Sequence, residues 1–202
     1  MKLGPRYKIC KRLGSSIFEK CQTQRFQLSE ARSAKNKKGK RRTGSEFNRQ
    51  LIEKQKLRLM YGLTEKQFSS YVEKALENHT SPQETLFQSL ETRLDSVIYR
   101  MGLAGTRRMA RQIVSHGHVT VNGVRSTIPS YRVRLTDTLA IREGSRTSSL
   151  FGNLSERLLE YRAPSWVRFD PSSFEGKLVT LPVMKEQDTG ADIQAVFEFY
   201  TR

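Results

Sequence analysis

The chain has 202 residues, 36 lysines and arginines against 20 acids, a formal net charge of +16, and 36% hydrophobic residues. That balance directs it toward anionic partners and excludes a lipid-embedded chain: no uninterrupted apolar run exceeds three residues, whereas a spanning helix needs about 20. The opening MKLGPRYKICKRLGSS lacks the apolar stretch of a secretory signal, and two cysteines, Cys10 and Cys21, are too few for a disulfide scaffold and suit a reducing cytosol.

The excess charge occupies two blocks. Residues 1–60 carry 18 Lys/Arg against four acids, and residues 91–150 carry ten arginines against four acids. Charge at that density repels itself unless an anion neutralises it. The blocks have no Trp, Phe or Leu interleaved at amphipathic spacing, which argues against a membrane surface. Polyphosphate, as RNA or DNA, is the expected partner, because each neutralised phosphate releases counterions.

In chain order, residues 1–45 read as a basic N-terminal arm. Its stretch 29–45, with KNKKGKRR at 35–42, is expected to order only on binding. Leu3, Ile9, Leu13, Ile17 and Phe18 are the apolar contacts available there. With Cys10 and Cys21 alone and the histidines far downstream, no structural zinc is expected. Residues 46–60 contain neither Gly nor Pro and predict a helix, stopped by Tyr61-Gly62. Thr64-Glu65-Lys66-Gln67 is a capping box that opens the next helix, and Ser81-Pro82-Gln83-Glu84 repeats the signal with proline at the first helical position.

A separate module is predicted over 92–152. Leu94, Val97, Ile98 and Met101 stand at i, i+3, i+4 and i+7, and Gly102 ends that helix. Thr106 is the expected N-cap of a second helix running to Ser115. On it, Arg107, Arg108, Arg111 and Gln112 fall on one side, while Met109, Ala110, Ile113 and Val114 fall on the other. Two helices joined by a short Gly-containing turn have the form of a helix-turn-helix. After His116-Gly117 the apolar period becomes two, and Val119 to Val121 followed by Asn122-Gly123 signals a hairpin. Tyr131, Val133 and Leu135 alternate with polar residues and predict another strand, as do Leu139 and Ile141.

Beyond the module, 148–160 predicts a helix stopped by Pro164. Strands are predicted around 166–169, 177–181 and 196–200. The expected class is α+β: a mainly helical first domain with a few C-terminal strands, plus the small helix-turn-helix-like module with its hairpin and short strands. The C-terminal strands are expected to return to the N-terminal helices, giving a discontinuous domain of 46–91 with 153–202. Val196, Phe197, Phe199 and Tyr200 should then be largely buried.

The segment 92–133 resembles the RNA-binding module of the S-four family of small-subunit ribosomal proteins. The resemblance rests on Arg107, Ala110, Arg111 and Gln112, on His116-Gly117-His118, on Val121-Asn122-Gly123 and on Pro129-Ser130-Tyr131. It extends to Gly4-Pro5-Arg6, to the run 53–58, to Tyr61-Gly62 and to Glu198-Phe199-Tyr200, so nearly the whole chain is similar to bacterial or organellar members of that family. The resemblance implies a primary rRNA-binding protein that binds a multi-helix junction of small-subunit (16S-type) rRNA and nucleates assembly of the subunit body. It also implies contact with ribosomal protein S-five, a place near where mRNA enters the ribosome, and an influence on translational accuracy. The location implied is the cytoplasmic ribosome, or an organellar stroma or matrix if the source is a plastid or mitochondrion.

The candidate RNA-binding residues of the module are Arg107, Arg108, Arg111, Gln112, His116, His118, Asn122, Tyr131, Arg132 and Arg134. Those of the N-terminal block are Arg6, Arg12, Lys40, Arg41, Arg42, Arg49, Lys54, Lys56 and Arg58. Asn122 is mainly turn chemistry, and Tyr131 partly core. Arg107 and Arg111 are expected to be a binding surface whose charge reversal leaves stability nearly unchanged, by about 0.5 kcal/mol. No cofactor, membrane or small-molecule substrate is expected. Two alternatives stand beside this reading: a free RNA chaperone carrying the same module, and a pseudouridine-synthase-like enzyme. Arg93-Leu94-Asp95-Ser96 echoes a motif of that enzyme, but it lies inside the module's own helix with no catalytic constellation around it, so no enzyme is expected.

Overall fold

The computed structural model describes residues 4–35, 45–184 and 190–202. It divides into two compact units, one formed by Met1–Gln83 with Lys185–Arg202 and the other by Glu84–Met184.

The first unit is helical. α1 (Arg6–Leu13), a 3-10 turn (Glu19–Gln22) and α2 (Gln24–Lys35) gather Cys10, Leu13, Phe18, Cys21 and Phe26 into a small core with Leu59. The basic arm expected over 1–45 is therefore folded wherever it is described. Apolar residues one and two turns apart give these short helices a common face, although half of α1 is lysine or arginine. α3 (Glu46–Met60) starts on Ser45, whose Oγ accepts from the Asn48 amide at 3.4 Å. α4 (Glu65–Leu76) opens on the expected capping box, with Thr64 and Gln67 each satisfying the other's backbone amide.

The C-terminal run overturns an expectation. Residues 196–200 are not a strand but part of a helix, Ile193–Tyr200, which packs on α3. The spacing carries its signal: Ile193, Val196, Phe197 and Tyr200 stand at i, i+3, i+4 and i+7, and Asp192 accepts from the Ala195 amide at 3.1 Å as N-cap. Val196 and Phe197 are buried, whereas Phe199 and Tyr200 are half-buried.

The second unit holds a five-stranded antiparallel sheet of order β2-β1-β3-β5-β4. Its strands are β1 (Val119–Val121), β2 (Val124–Ser126), β3 (Thr138–Ile141), β4 (Val167–Asp170) and β5 (Glu175–Leu178). β1 and β2 join through Asn122 and Gly123 at φ 51° and 79°, the left-handed pair that a two-residue hairpin needs. The expectation that the C-terminal strands return to the N-terminal helices fails for 166–178. β5 pairs with β3 in the register Leu139↔Gly176, so β4 and β5 extend the module's own sheet. Sequence separation hides this partnership, because the exposed edge of β3 carries no local signal of what covers it.

α5 (Pro82–Glu91), α6 (Leu94–Arg100) and α7 (Arg107–Ser115) supply the helical side of this unit. Leu94, Val97, Ile98, Ala110, Ile113 and Val114 pack with Val119, Leu139, Ile141 and Trp166 in one core. The strand expected around 131–135 is replaced by an extended segment with a lone bridge between Arg93 and Arg132. Its carbonyls serve α6 instead: Leu94 N donates to Tyr131 O at 2.8 Å and Asp95 N to Pro129 O at 3.1 Å. Those first-turn amides have no partner within their own helix, so the segment caps α6 from outside. The helix expected over 148–160 divides into turns and α9 (Leu154–Glu160), preceded by the single-turn α8 (Glu143–Arg146).

Candidate nucleic-acid interface

Thr106 Oγ1 accepts from the Met109 amide at 3.1 Å and starts α7 where the sequence places it. Its arginines, however, are not a free face. Arg107 Nη2 lies 3.0 Å from Glu91 Oε1, and its guanidinium stacks 4.7 Å from the centre of the Tyr99 ring. Glu91 is fully buried and also takes Arg100 through two bonds of 2.9 and 2.7 Å. Arg111 donates through Nε and Nη2 to Asp95 Oδ2 at 2.8 and 2.7 Å, and Arg93 grips the same carboxylate from the other side at 3.0 and 2.8 Å. Asp95 is 2% exposed. Buried carboxylates need compensating charge, and these two obtain it from four arginines. The expectation that Arg107 and Arg111 form an unengaged binding face is thereby corrected, and with it the premise that their charge reversal leaves stability nearly unchanged. A helical wheel shows which residues share a face, not what another helix places opposite it.

Arg108 and Gln112 on the same helix are exposed, as are Arg132 and Arg134. Asn122 and Tyr131 serve the fold. The buried Asp137 carboxylate accepts from Asn122 Nδ2 at 2.9 Å, Tyr131 Oη at 3.0 Å and the Arg134 amide at 2.9 Å. Burial raises the Asp137 pKa, but those three donors outweigh it and hold the group below the ordinary aspartate value. The same bond to Asp137, helped by burial, pushes the Tyr131 phenol up.

His116 caps the C-terminus of α7, and His118 follows with its ring centre 6.0 Å away. His118 Nδ1 is 3.0 Å from Ser145 Oγ. Two arginines absent from the sequence-predicted set stand beside them. Arg125 Nη2 donates to His116 O at 3.1 Å, and the Arg142 amide donates to His118 O at 2.9 Å. Hairpin register is the signal that finds Arg125, since Val119↔Ser126 and Thr120↔Arg125 return it toward the end of α7.

In the first unit, α3 uses its own cations internally. Lys54 is buried, 2.6 Å from Glu65 Oε1 and 4.3 Å from the centre of the Phe199 ring. Burial raises the Glu65 pKa, but the bonds from Lys54 and Tyr200 outweigh it, and the carboxyl sits below its usual value. Lys56 pairs with Glu53 at 2.6 Å, Arg58 with Glu65 at 3.4 Å, and Arg49 with Glu46 at 3.2 Å. Arg6 lies 5.9 Å from the Phe18 ring centre, half-exposed, and Arg12 is exposed. Arg12 and Arg58 line a cavity of about 620 Å³ with Asn48, Gln55 and apolar side chains of α1 and α3. Lys40, Arg41 and Arg42 fall outside the described residues. No helix among the described residues is long and apolar enough to cross a membrane.

Comparison with known proteins places this geometry in context. Residues 2–91 match the profile of the ribosomal protein S4/S9 N-terminal domain, and residues 92–139 match the S4 domain. The chain is 41% identical over 202 residues to small ribosomal subunit protein uS4 of Roseiflexus castenholzii, an alignment covering 99% of this chain and 98% of the relative. It is 39% identical over 204 residues to uS4 of Thermotoga maritima, with 98% of each chain covered. To uS4 of Chloroflexus aurantiacus it is 38% identical over 202 residues, covering 99% of this chain and 98% of that one.

Proposed function

The chain belongs to the uS4 family of ribosomal proteins, and from that premise we propose that it is a structural constituent of the small ribosomal subunit that binds small-subunit rRNA. The family is not an enzymatic one, and Asp95, the residue on which a pseudouridine-synthase reading depends, has both carboxylate oxygens occupied by arginines.

The observation that carries the proposal is the match of both family profiles over residues 2–139, joined to five exposed cations on the second unit: Arg108, Arg125, Arg132, Arg134 and Arg142. Among the described residues none of these five forms an ion pair. Exposed guanidinium groups suit phosphate and 2′-hydroxyl contacts on a folded RNA, which is read by shape more than by base edges. A multi-helix junction offers such a surface, and we assign this protein to one, in the role of an early binder that nucleates the subunit body. Contact with ribosomal protein S-five, a position near the point where mRNA enters, and an effect on accuracy belong to the same proposal.

The test is binding of the full chain to a small-subunit rRNA transcript and to the same transcript with its junction replaced by a continuous duplex. We expect tight, salt-sensitive binding to the first and at least tenfold weaker binding to the second. Equal affinity for both would remove the junction from the proposal, and absence of the chain from purified small subunits would remove the ribosomal role.

A further inference from the structure

His116, His118, Arg125 and Arg142 come from three places in the chain and meet at one end of β1. The Arg125 guanidinium occupies the space over Gly117: a Cβ built there would stand 2.0 Å from its Nε. Gly117 has φ 73°, so a residue without a side chain suits both the backbone and the guanidinium above it. Anchored to the His116 carbonyl by one Nη2 bond at 3.1 Å, Arg125 keeps most of its N–H donors uncommitted. The Arg142 side chain is exposed and makes no hydrogen bond or ion pair among the described residues. His118 Nδ1 is engaged by the buried Ser145 at 3.0 Å, which leaves Nε2 as its second polar atom.

The groups packed around His118 carry one sign of charge or none. They are His116 from the end of α7, Arg125 from β2, Arg142 at the start of α8, Ser145 within it, and the Phe151 ring at 6.3 Å. Glu143, the nearest carboxylate in sequence, is exposed and forms no ion pair among the described residues. Burial, then His116, Arg142 and Arg125, hold the His118 pKa below the ordinary histidine value. A half-buried imidazole beside these cations, with no anion among its neighbours, is a site lacking its counter-charge.

We propose that the cluster of His116, His118, Arg125 and Arg142 is a phosphate-binding site for the RNA backbone, and that filling it draws a proton onto His118. This rests on the RNA-binding reading above and goes beyond it, by naming the residues that take the phosphate and by making that contact depend on pH. The sign follows from electrostatics. The bound phosphodiester replaces repulsion by attraction, so the His118 pKa rises in the complex and binding is tighter when the solution is more acidic.

The test uses the full chain and a small-subunit rRNA transcript, with affinity measured between pH 8 and pH 6 and the imidazole resonances followed by NMR. Parent protein is expected to bind at least fivefold tighter at the acidic end, with the His118 titration moved to higher pH by RNA. Arg125→Gln with Arg142→Gln is expected to weaken binding at least tenfold, and His118→Gln to remove most of the pH dependence. If the double arginine variant fails to fold, Arg142→Gln alone carries the test, because that side chain supports nothing in the described structure. Unchanged affinity and unchanged pH dependence in these variants, with the parent binding RNA well, would overturn this site and leave the RNA-binding reading standing. A parent that does not bind the transcript would overturn both. Inorganic phosphate alone is expected to leave the imidazole resonances unmoved. Movement with free phosphate but not with RNA would make this a site for a free anion and defeat the proposal.

Discussion

On the unit formed by Glu84–Met184, two sets of arginines have opposite fates. Arg93, Arg100, Arg107 and Arg111 are tied to the buried carboxylates of Glu91 and Asp95 at 2.7–3.0 Å. Arg108, Arg125, Arg132, Arg134 and Arg142 stand in solvent and form no ion pair among the described residues. Both sets count equally in the net charge. Only the second is free to meet a phosphate without first surrendering an internal partner, although four guanidinium groups on two carboxylates still leave the first cluster net positive. Charge density in a sequence thus locates a binding unit, while the partners inside the fold decide which cations of that unit are available.

The contrast breaks most visibly at Asp95. Asp95→Ala is expected to destabilise the second unit by about 3–5 kcal/mol, because it leaves the buried Arg93 and the partly buried Arg111 without their anion. Equilibrium denaturation in urea measures this directly. Arg107→Glu with Arg111→Glu should fall in the same class, since it sets new carboxylates against Glu91 and Asp95. An unmoved midpoint for either variant would return these arginines to the role of a solvated face.

Asp137 tests a smaller version of the same contrast, an anion satisfied by hydrogen bonds instead of ion pairs. Asp137→Ala removes the acceptor for Asn122, Tyr131 and the Arg134 amide, and is expected to cost about 2 kcal/mol. The folded-state pKa of Asp137 lies below the ordinary 3.8, so its stabilisation is fully present above that value. It is lost as the pH falls from there through the depressed folded value. The stability difference between parent and Asp137→Ala should therefore be flat from pH 7 to about 5 and shrink toward pH 3. A difference that grows on acidification would contradict the assignment.

In the helical unit, Lys54 is the counterpart of the tied arginines, a buried cation between Glu65 and the Phe199 ring. Lys54→Ala is expected to cost about 1 kcal/mol, through loss of the cation–aromatic interaction and of stem packing, and Lys54→Met to recover part of it. Thermal unfolding of the pair separates the two contributions, and equal losses in both variants would assign the whole effect to charge.

Much of this fold is legible in the sequence. Helix starts at Thr64, Pro82 and Thr106 can be read because a cap is a local signal carried by residues three positions apart. The hairpin at Asn122-Gly123 can be read for the same reason. What escapes is non-local. The β3–β5 pairing joins segments more than thirty residues apart, and nothing in 166–178 announces its partner. The tail over 193–200 misleads because Val196, Phe197, Phe199 and Tyr200 satisfy both an alternating and a helical pattern when short windows are used. Arg107 and Arg111 are recognisable as one face, but Glu91 lies sixteen residues before Arg107, on another helix, and Asp95 sixteen before Arg111.

The smallest effect on stability is expected where the sequence and the structure agree that an arginine is free. Arg132 and Arg134 flank the buried Val133, and both side chains are exposed. The Arg134 amide does hold Asp137, but a backbone donor survives any non-proline substitution. Arg132→Gln with Arg134→Gln should therefore change unfolding free energy by no more than about 0.5 kcal/mol, as surface replacements usually do. Binding follows a different rule. Every phosphate that a variant no longer neutralises takes roughly 0.7–0.9 off the slope of log affinity against log salt, so the double variant should bind small-subunit rRNA more weakly and with a flatter salt response. Measuring both quantities on one preparation separates the two sets of arginines cleanly: tied residues lose stability first, free ones lose only affinity. If the double variant kept the parent's salt slope, Arg132 and Arg134 would be solvated without touching RNA, and the RNA-facing surface would contract toward the end of β1.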